Sequence, residues 1–268
     1  MDLKGKNVLI SGGSSGIGFS LAKEFTHAGA NVSLLARREE LLVKAKAELE
    51  TIKASPGQKF SYFSADVGNY ENLQQTLKED AAQFDFLINC AGIAYPGEFT
   101  EMKPEIFAEV MQINYLGTVY LTKLVVPGMV ARRSGYVVNI SSLAALIGIY
   151  GYTAYAPSKY AIRGFSRCLR SELKAYGIEV SVVLPPDTDT PQLAFEHSII
   201  PDITRKINET GGVMSADKVA QVIMNGIRRK KFTIVPGTEG KLLYGLSSII
   251  GRYFYHLGVR EHRKALRS

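Results

Sequence analysis

The strongest constraint on the fold is an alternation that runs through most of the chain. Short apolar runs rich in β-branched residues are separated by longer stretches of helical period. Asn7–Ser11 (NVLIS) reads as a buried strand, Ile17–Ala28 as a helix closed by Gly29, Asn31–Ala36 (NVSLLA) as a second strand and Glu39–Ile52 as a second helix. Phe60–Ala65, Phe86–Asn89, Tyr136–Ile140 and Glu179–Leu184 continue the strands, and Phe232–Val235 is a candidate for the last. Helical stretches separate them near Glu71–Ala82, Pro104–Val130 and Ala154–Tyr176. Such alternation predicts right-handed βαβ units, hence an α/β fold with a doubly wound parallel sheet of about seven strands and helices on both faces. Ligands of such sheets bind beyond the carboxyl ends of the strands.

A chain of 268 residues is long enough for one large domain with a substantial core. Residues 1–238 are read as that domain and 239–268 as a separate basic segment. Two cysteines, Cys90 and Cys168, have no metal-ligand spacing, so no metal is expected and a reduced, intracellular setting fits. The first ten residues are too short and polar for a signal peptide or a span. The net charge of +7 is unevenly placed: Gly226–Ser268 holds ten Lys and Arg against two Glu, so the remainder is about −1. The basicity belongs to the tail, and no nucleic-acid motif accompanies it.

LISGGSSGIG follows the first strand and opens the first helix. Gly12, Gly16 and Gly18 let the backbone turn tightly and approach a pyrophosphate, with Ser14, Ser15 and Ile17 completing the turn. Within a strand–turn–helix unit this string predicts a dinucleotide site. The second strand ends in Ala36-Arg37-Arg38, where a carboxylate would bind the ribose hydroxyls of NAD. Guanidinium groups there favour a 2′-phosphate, so NADPH/NADP+ is the expected cofactor. Asp66 and Val67 follow the third strand, and Asn89, Ala91 and Gly92 the fourth, where they could line adenine and ribose. Asp66 reads equally as a helix N-cap.

Tyr155 and Lys159 lie four apart on one face of a predicted helix, with Pro157 confined to its first turn. Ser142 closes the strand upstream. A tyrosine near its ordinary pKa of about 10 can donate a proton, and a neighbouring ammonium is expected to lower that value. A serine hydroxyl beside it can stabilise charge developing on a carbonyl oxygen.

With SGGSSGIG, NCAG, INYLG, NISS and YAPSK in place, the chain resembles the short-chain dehydrogenase/reductase family over nearly its whole length. The resemblance implies a Rossmann-type fold, Ser142 as carbonyl stabiliser, Tyr155 as proton donor and Lys159 as ribose clamp and pKa modulator. It also implies that Asn114 fixes a helix bend and holds a water in a proton relay. Cys90 stands where the family usually has a second Asn, which removes one side-chain contact and leaves the loop geometry to Ala91 and Gly92.

After the sixth strand the family usually has Pro-Gly, and this chain has Pro185-Pro186. By resemblance, Pro185, Thr188 and Thr190 meet the nicotinamide half of the cofactor. The string PPDTDTP is similar to that of the 3-ketodihydrosphingosine reductases, which implies NADPH-dependent reduction of a long-chain keto-amine lipid to sphinganine. Asp187 could pair with the substrate ammonium or satisfy backbone N–H groups nearby. Residues 191–215 read as a turn-rich substrate loop in which Phe195, Ile199 and Ile200 shield an acyl chain or pack on the core. Reduction of another 3-oxo compound, a thioester or a steroid, and a non-catalytic NADPH-binding sensor are the competing readings.

Leu242, Leu243, Leu246, Ile249, Ile250, Tyr253, Phe254 and Leu257 recur at helical steps between RRKK and REHRKALR. This predicts a C-terminal amphipathic helix for peripheral contact with the cytoplasmic membrane face, or for packing on the core or another subunit. The family resemblance also implies a homo-oligomer.

Overall fold

A computed structural model describes residues 1–208, 212–247 and Arg260. The expected strands form: β1 (Asn7–Ser11), β2 (Asn31–Ala36), β3 (Phe60–Ser64), β4 (Phe86–Asn89), β5 (Gly135–Ile140) and β6 (Ile178–Val183). Two-residue pieces β7 (Thr188–Asp189) and β8 (Met214–Ser215) pair with each other, and β9 (Thr233–Ile234) closes the main sheet. The sheet has seven strands in the order β3-β2-β1-β4-β5-β6-β9, with every pairing parallel. The order reverses between β1 and β4, so a crevice opens beyond their carboxyl ends.

Successive strand residues face opposite sides, and the core divides accordingly. Val8 and Ile10 join a cluster with Leu34, Phe25, Leu42 and Ile223. Leu9, between them in sequence, joins Leu35, Leu87, Leu73, Leu121 and Val125 on the other side. The first layer uses α1 (Gly16–His27), α2 (Glu39–Thr51) and α9 (Ala216–Arg228). The second uses α3 (Tyr70–Leu77), α4 (Pro104–Met111), α5 (Gly117–Arg132) and α6 (Tyr155–Leu173). Both faces of the sheet are therefore covered, which is why its strands read as continuous apolar runs.

Three expectations are corrected. The stretch Pro104–Val130 is not one regular helix: the bend implied at Asn114 is a π-helical turn, Gln112–Leu116, between α4 and α5. Gly117, next in the chain, lets α5 pack closely on the segment after β3, since a Cβ there would lie 2.9 Å from Val67 Cγ2. Second, the N-cap of α3 is Asn69, whose side chain accepts from the Asn72 N–H, and not Asp66. Asp66 Oδ1 instead accepts from the Gly68 N–H at 2.9 Å and closes a tight turn before the helix. Third, the segment after β6 is mostly helical: α7 (Pro191–Ile199) and α8 (Asp202–Asn208). The helix start was written in the sequence, with Thr190 as side-chain cap to the Leu193 N–H and Pro191 in the first turn.

Residues 238–247 are helical, and Leu243 packs on the cluster of Leu146, Leu184 and Val235. The Arg163 guanidinium lies 5.7 Å from the Tyr244 ring centre. Leu242 and Leu246 face solvent. Ile249, Ile250, Tyr253, Phe254 and Leu257 of the expected amphipathic face lie outside the described residues. Among the described residues no helix is long and apolar enough to cross a membrane.

Candidate active site

The turn from β1 to α1 forms one end of the crevice. Gly12 has φ +67°, and a Cβ there would lie 2.9 Å from the Ala91 backbone. A Cβ on Gly18 would lie 2.2 Å from the Gly12 carbonyl oxygen. Both positions require glycine, and together they leave a cradle beside the helix start. Ser15 is the N-cap residue of α1 and its side chain makes no capping hydrogen bond. The first N–H groups of α1 are thus left for an anion. Ser14 and Ile17 stand half-buried beside this turn, Ile17 against the core. Across from it, Thr190 approaches Gly16, whose Cβ would lie 3.0 Å from the Thr190 methyl.

Arg37 and Arg38 are exposed at the end of β2, and among the described residues no salt bridge holds either guanidinium. Next to them the Arg37 carbonyl accepts from the Ser64 hydroxyl. Val67 is buried and packs under α5, so only its backbone can border the crevice. The same holds for Asn89, which is 2% exposed. Its amide donates to Thr122 Oγ1 and to Asn139 Oδ1, its register partner on β5, while its own Oδ1 has no protein partner. Its side chain is therefore structural rather than a cofactor contact.

Sequence reasoning missed Ser11. Its Oγ accepts from the N–H groups of Cys90 and Ala91 at 3.1 and 3.2 Å, which ties the NCAG loop to β1. The loop geometry thus rests on Ser11 as well as on Ala91 and Gly92. Burial raises the Cys90 thiol pKa to about 12, so it remains a neutral thiol.

The chemical end is assembled from four elements. Asn114, fully buried in the π-helical turn, accepts from the Ile93 N–H and donates to the Ile93 carbonyl. It also donates to Ser158 Oγ at 2.9 Å, and Ser158 in turn donates to the Tyr155 carbonyl. One amide therefore fixes both the loop after β4 and the first turn of α6. Gly92 fits here because a Cβ would lie 3.1 Å from Asn114 Oδ1 and 3.4 Å from Lys159 Nζ. Lys159 is 5% exposed, donates to the Ile140 carbonyl at 3.2 Å, and has its Nζ 5.4 Å from the Tyr155 ring centre. Ser142 Oγ accepts from the Ala144 N–H, which leaves its own proton to donate.

The expectation that an ammonium lowers the Tyr155 pKa is overturned. Burial raises it, and the Glu196 and Asp187 carboxylates raise it further, against a lowering effect of the Ser142 hydroxyl. The phenol is held firmly protonated, as a proton donor must be. Lys159 is itself lowered by burial from 10.5 to about 8, with the Glu196 carboxylate opposing the fall.

Thr188, 6% exposed, donates to the Pro186 carbonyl, and the Pro185 carbonyl accepts from the Leu143 N–H. Asp187 is exposed, and surrounding protein desolvates its carboxylate and raises its pKa, against a lowering effect of His197. Glu196, a single carboxylate in QLAFEHSII with no motif around it, is buried on α7 beside this chemistry. Of the proposed acyl-chain shields, Ile200 is buried in the body and Phe195 is exposed, its ring 6.1 Å from that of Tyr95.

A crevice at a strand-order reversal, with a glycine cradle at one end and a half-buried tyrosine and serine beside a buried lysine at the other, defines a dinucleotide-dependent oxidoreductase site. The short chain dehydrogenase family model matches residues 6–198, and the chain belongs to that family. It is 40% identical over 251 residues to 3-dehydrosphinganine reductase of Danio rerio, covering 92% of this chain and 76% of that protein. It is 39% identical to 3-ketodihydrosphingosine reductase of Bos taurus, over 91% of this chain and 75% of that one. Among solved structures, a short-chain dehydrogenase from Sphingobium yanoikuyae in complex with NADPH is 27% identical with a TM-score of 0.77, covering 97% and 95% of the two chains.

The Lys159 shift has a measurable consequence. Between about pH 8 and 10.5 the unfolded chain binds a proton that the folded chain does not, so stability from this group rises with pH through that window. Lys159→Met lacks this titration. The melting temperature of the wild type relative to Lys159→Met should increase between about pH 8 and about pH 10. A decrease would mean that the ammonium is stabilised by a partner rather than penalised by burial.

Proposed function

We propose that this chain catalyses the NADPH-dependent reduction of 3-ketodihydrosphingosine to sphinganine. The observation that carries the reading is the joining of Asn114, Ser142, Tyr155 and Lys159 at one strand edge in a chain so similar to 3-dehydrosphinganine reductases.

The glycine cradle fits a dinucleotide pyrophosphate, and Arg37 and Arg38 fit a 2′-phosphate. Asp66 would border the adenine side, Ala91 and Gly92 the ribose, and Lys159 would hold the nicotinamide ribose, with Pro185, Thr188 and Thr190 beside the nicotinamide. When bound, the reduced cofactor supplies a hydride to the carbonyl carbon. Ser142 donates a hydrogen bond to the carbonyl oxygen, where negative charge develops. Tyr155 gives its phenolic proton to the same oxygen. Asn114 holds the loop after β4 against the first turn of α6, which carries Tyr155 and Lys159, and would support the path by which the phenol regains its proton. Asp187 would meet the ammonium of an amino-ketone.

The mouth of the cleft suits a long apolar chain. Exposed Tyr95 and Phe195 lie tilted against each other, and Phe99, 68% exposed, packs edge-on to Phe107, which would give the chain an apolar surface to lie on. The same reading places the protein on a cytoplasmic membrane face, as a homo-oligomer, with the segment 239–268 in contact with lipid. Exposed Leu242 and Leu246 and the basic residues around them support this contact.

Wild type should oxidise NADPH with 3-ketodihydrosphingosine far faster than with an acetoacetyl thioester, and Tyr155→Phe should lose ~10²–10⁴-fold in kcat/KM while still binding NADPH. Turnover of the thioester alone rejects the substrate, and turnover of neither ketone favours a sensor. Arg37→Ala/Arg38→Ala should weaken NADPH binding by at least ~10-fold and leave NADH binding nearly unchanged, measured by nucleotide fluorescence. The full chain should sediment with phosphatidylserine-containing vesicles at low salt and less with neutral ones. Recovery in the supernatant with both rejects membrane contact.

A further inference from the structure

Glu196 is the least expected charge in the molecule. It is 7% exposed, on the inner face of α7, and its partners are both neutral. Oε2 accepts from the Tyr152 hydroxyl at 3.0 Å, and Oε1 accepts from the Gln192 amide at 3.0 Å. Tyr152 is itself 6% exposed, and its ring centre lies 5.7 Å from that of Tyr155. The carboxylate is therefore held one aromatic ring away from the proton donor, by two donors that orient it without neutralising it.

Burying a carboxylate without a cation against it is costly. Desolvation accordingly raises its pKa, and its charge in turn acts on Tyr155 and Lys159, so it lies within the field of the reacting atoms. Asp187 acts on the same carboxylate and on Tyr155. His197, the next residue on α7, is exposed and opposes part of this negative field. What remains is an excess of negative charge facing the place where a ketone must sit between Ser142 and Tyr155. Two carboxylates beside a proton donor work against the anion that forms during reduction. They are useful there only if the substrate brings positive charge with it.

Resting on the amino-ketone reading, we infer that Glu196 is a specificity residue that receives the substrate's 2-ammonium group, with Asp187 closing over it. The ammonium is bonded to the carbon next to the carbonyl, so a group that binds it also sets which face and which carbon approach Tyr155. Tyr152 and Gln192 are positioning residues: they fix the carboxylate in the orientation that awaits the cation. Because Glu196 is buried and Asp187 is open to solvent, Glu196 carries the larger share.

The test compares 3-ketodihydrosphingosine with a ketone of the same chain length and carbonyl position that lacks the amine. Glu196→Gln keeps size and hydrogen-bonding capacity and removes the charge. Its kcat/KM for the amino-ketone should fall ~10–100-fold, mostly through KM, while that for the amine-free ketone should not fall. Asp187→Asn should show the same selectivity with a smaller loss. Glu196→Asp, which keeps the charge, should recover part of the amino-ketone activity and carries the same comparison if Glu196→Gln does not fold. Equal losses on both ketones, or no loss on either, overturn the inference and leave the amino-ketone reading intact. Wild type that reduces only the amine-free ketone overturns that reading and the inference with it.

Discussion

The site depends on one amide. Asn114 stands inside a π-helical turn and makes three hydrogen bonds, two to Ile93 and one to Ser158. In a regular helix the extra residue would be absent and the side chain would be directed elsewhere. Here it enters the protein between the loop after β4 and the start of α6. The Tyr155 carbonyl is bound through Ser158, and Gly92 is brought close to Lys159 Nζ. The relative placement of proton donor, lysine and cofactor loop is thus set by an irregularity in a helix that contributes no reacting atom.

The strands were almost fully legible in the sequence. All six long ones formed within a residue of their expected limits: the inner ones because strands covered on both faces must be apolar runs, and β3 at the sheet edge because FSYFS is rich in aromatic residues. The helices were less so. A π-helical turn leaves the composition of a helix unchanged and shifts its face, so nothing in INYLG marks it without a family to compare. The turn at Asp66 and the cap at Asn69 were separated only by which side chain reached which N–H. The segment after β6 was misread because its prolines and polar residues suggest turns, although Thr190-Pro191 is also a helix start.

At the site, residue identities were legible and electrostatics were not. Tyr155, Lys159 and Ser142 were recognised by spacing and resemblance, yet the direction of the tyrosine shift was opposite to that expected. Pairwise reasoning placed an ammonium beside a phenol and stopped there. The structure adds desolvation of both groups and two carboxylates from α7 and the loop before it. Glu196 could not be foreseen, since one carboxylate in a short helix normally faces water and only the packing of α7 on Tyr152 turns it inward.

Thr190 belongs to two structures at once. Its methyl lies against the Gly16 turn, while its hydroxyl caps the helix that carries Glu196. A single side chain thus packs the glycine turn and caps the start of α7, so a residue of another size or polarity at 190 would disturb the turn and the helix start together.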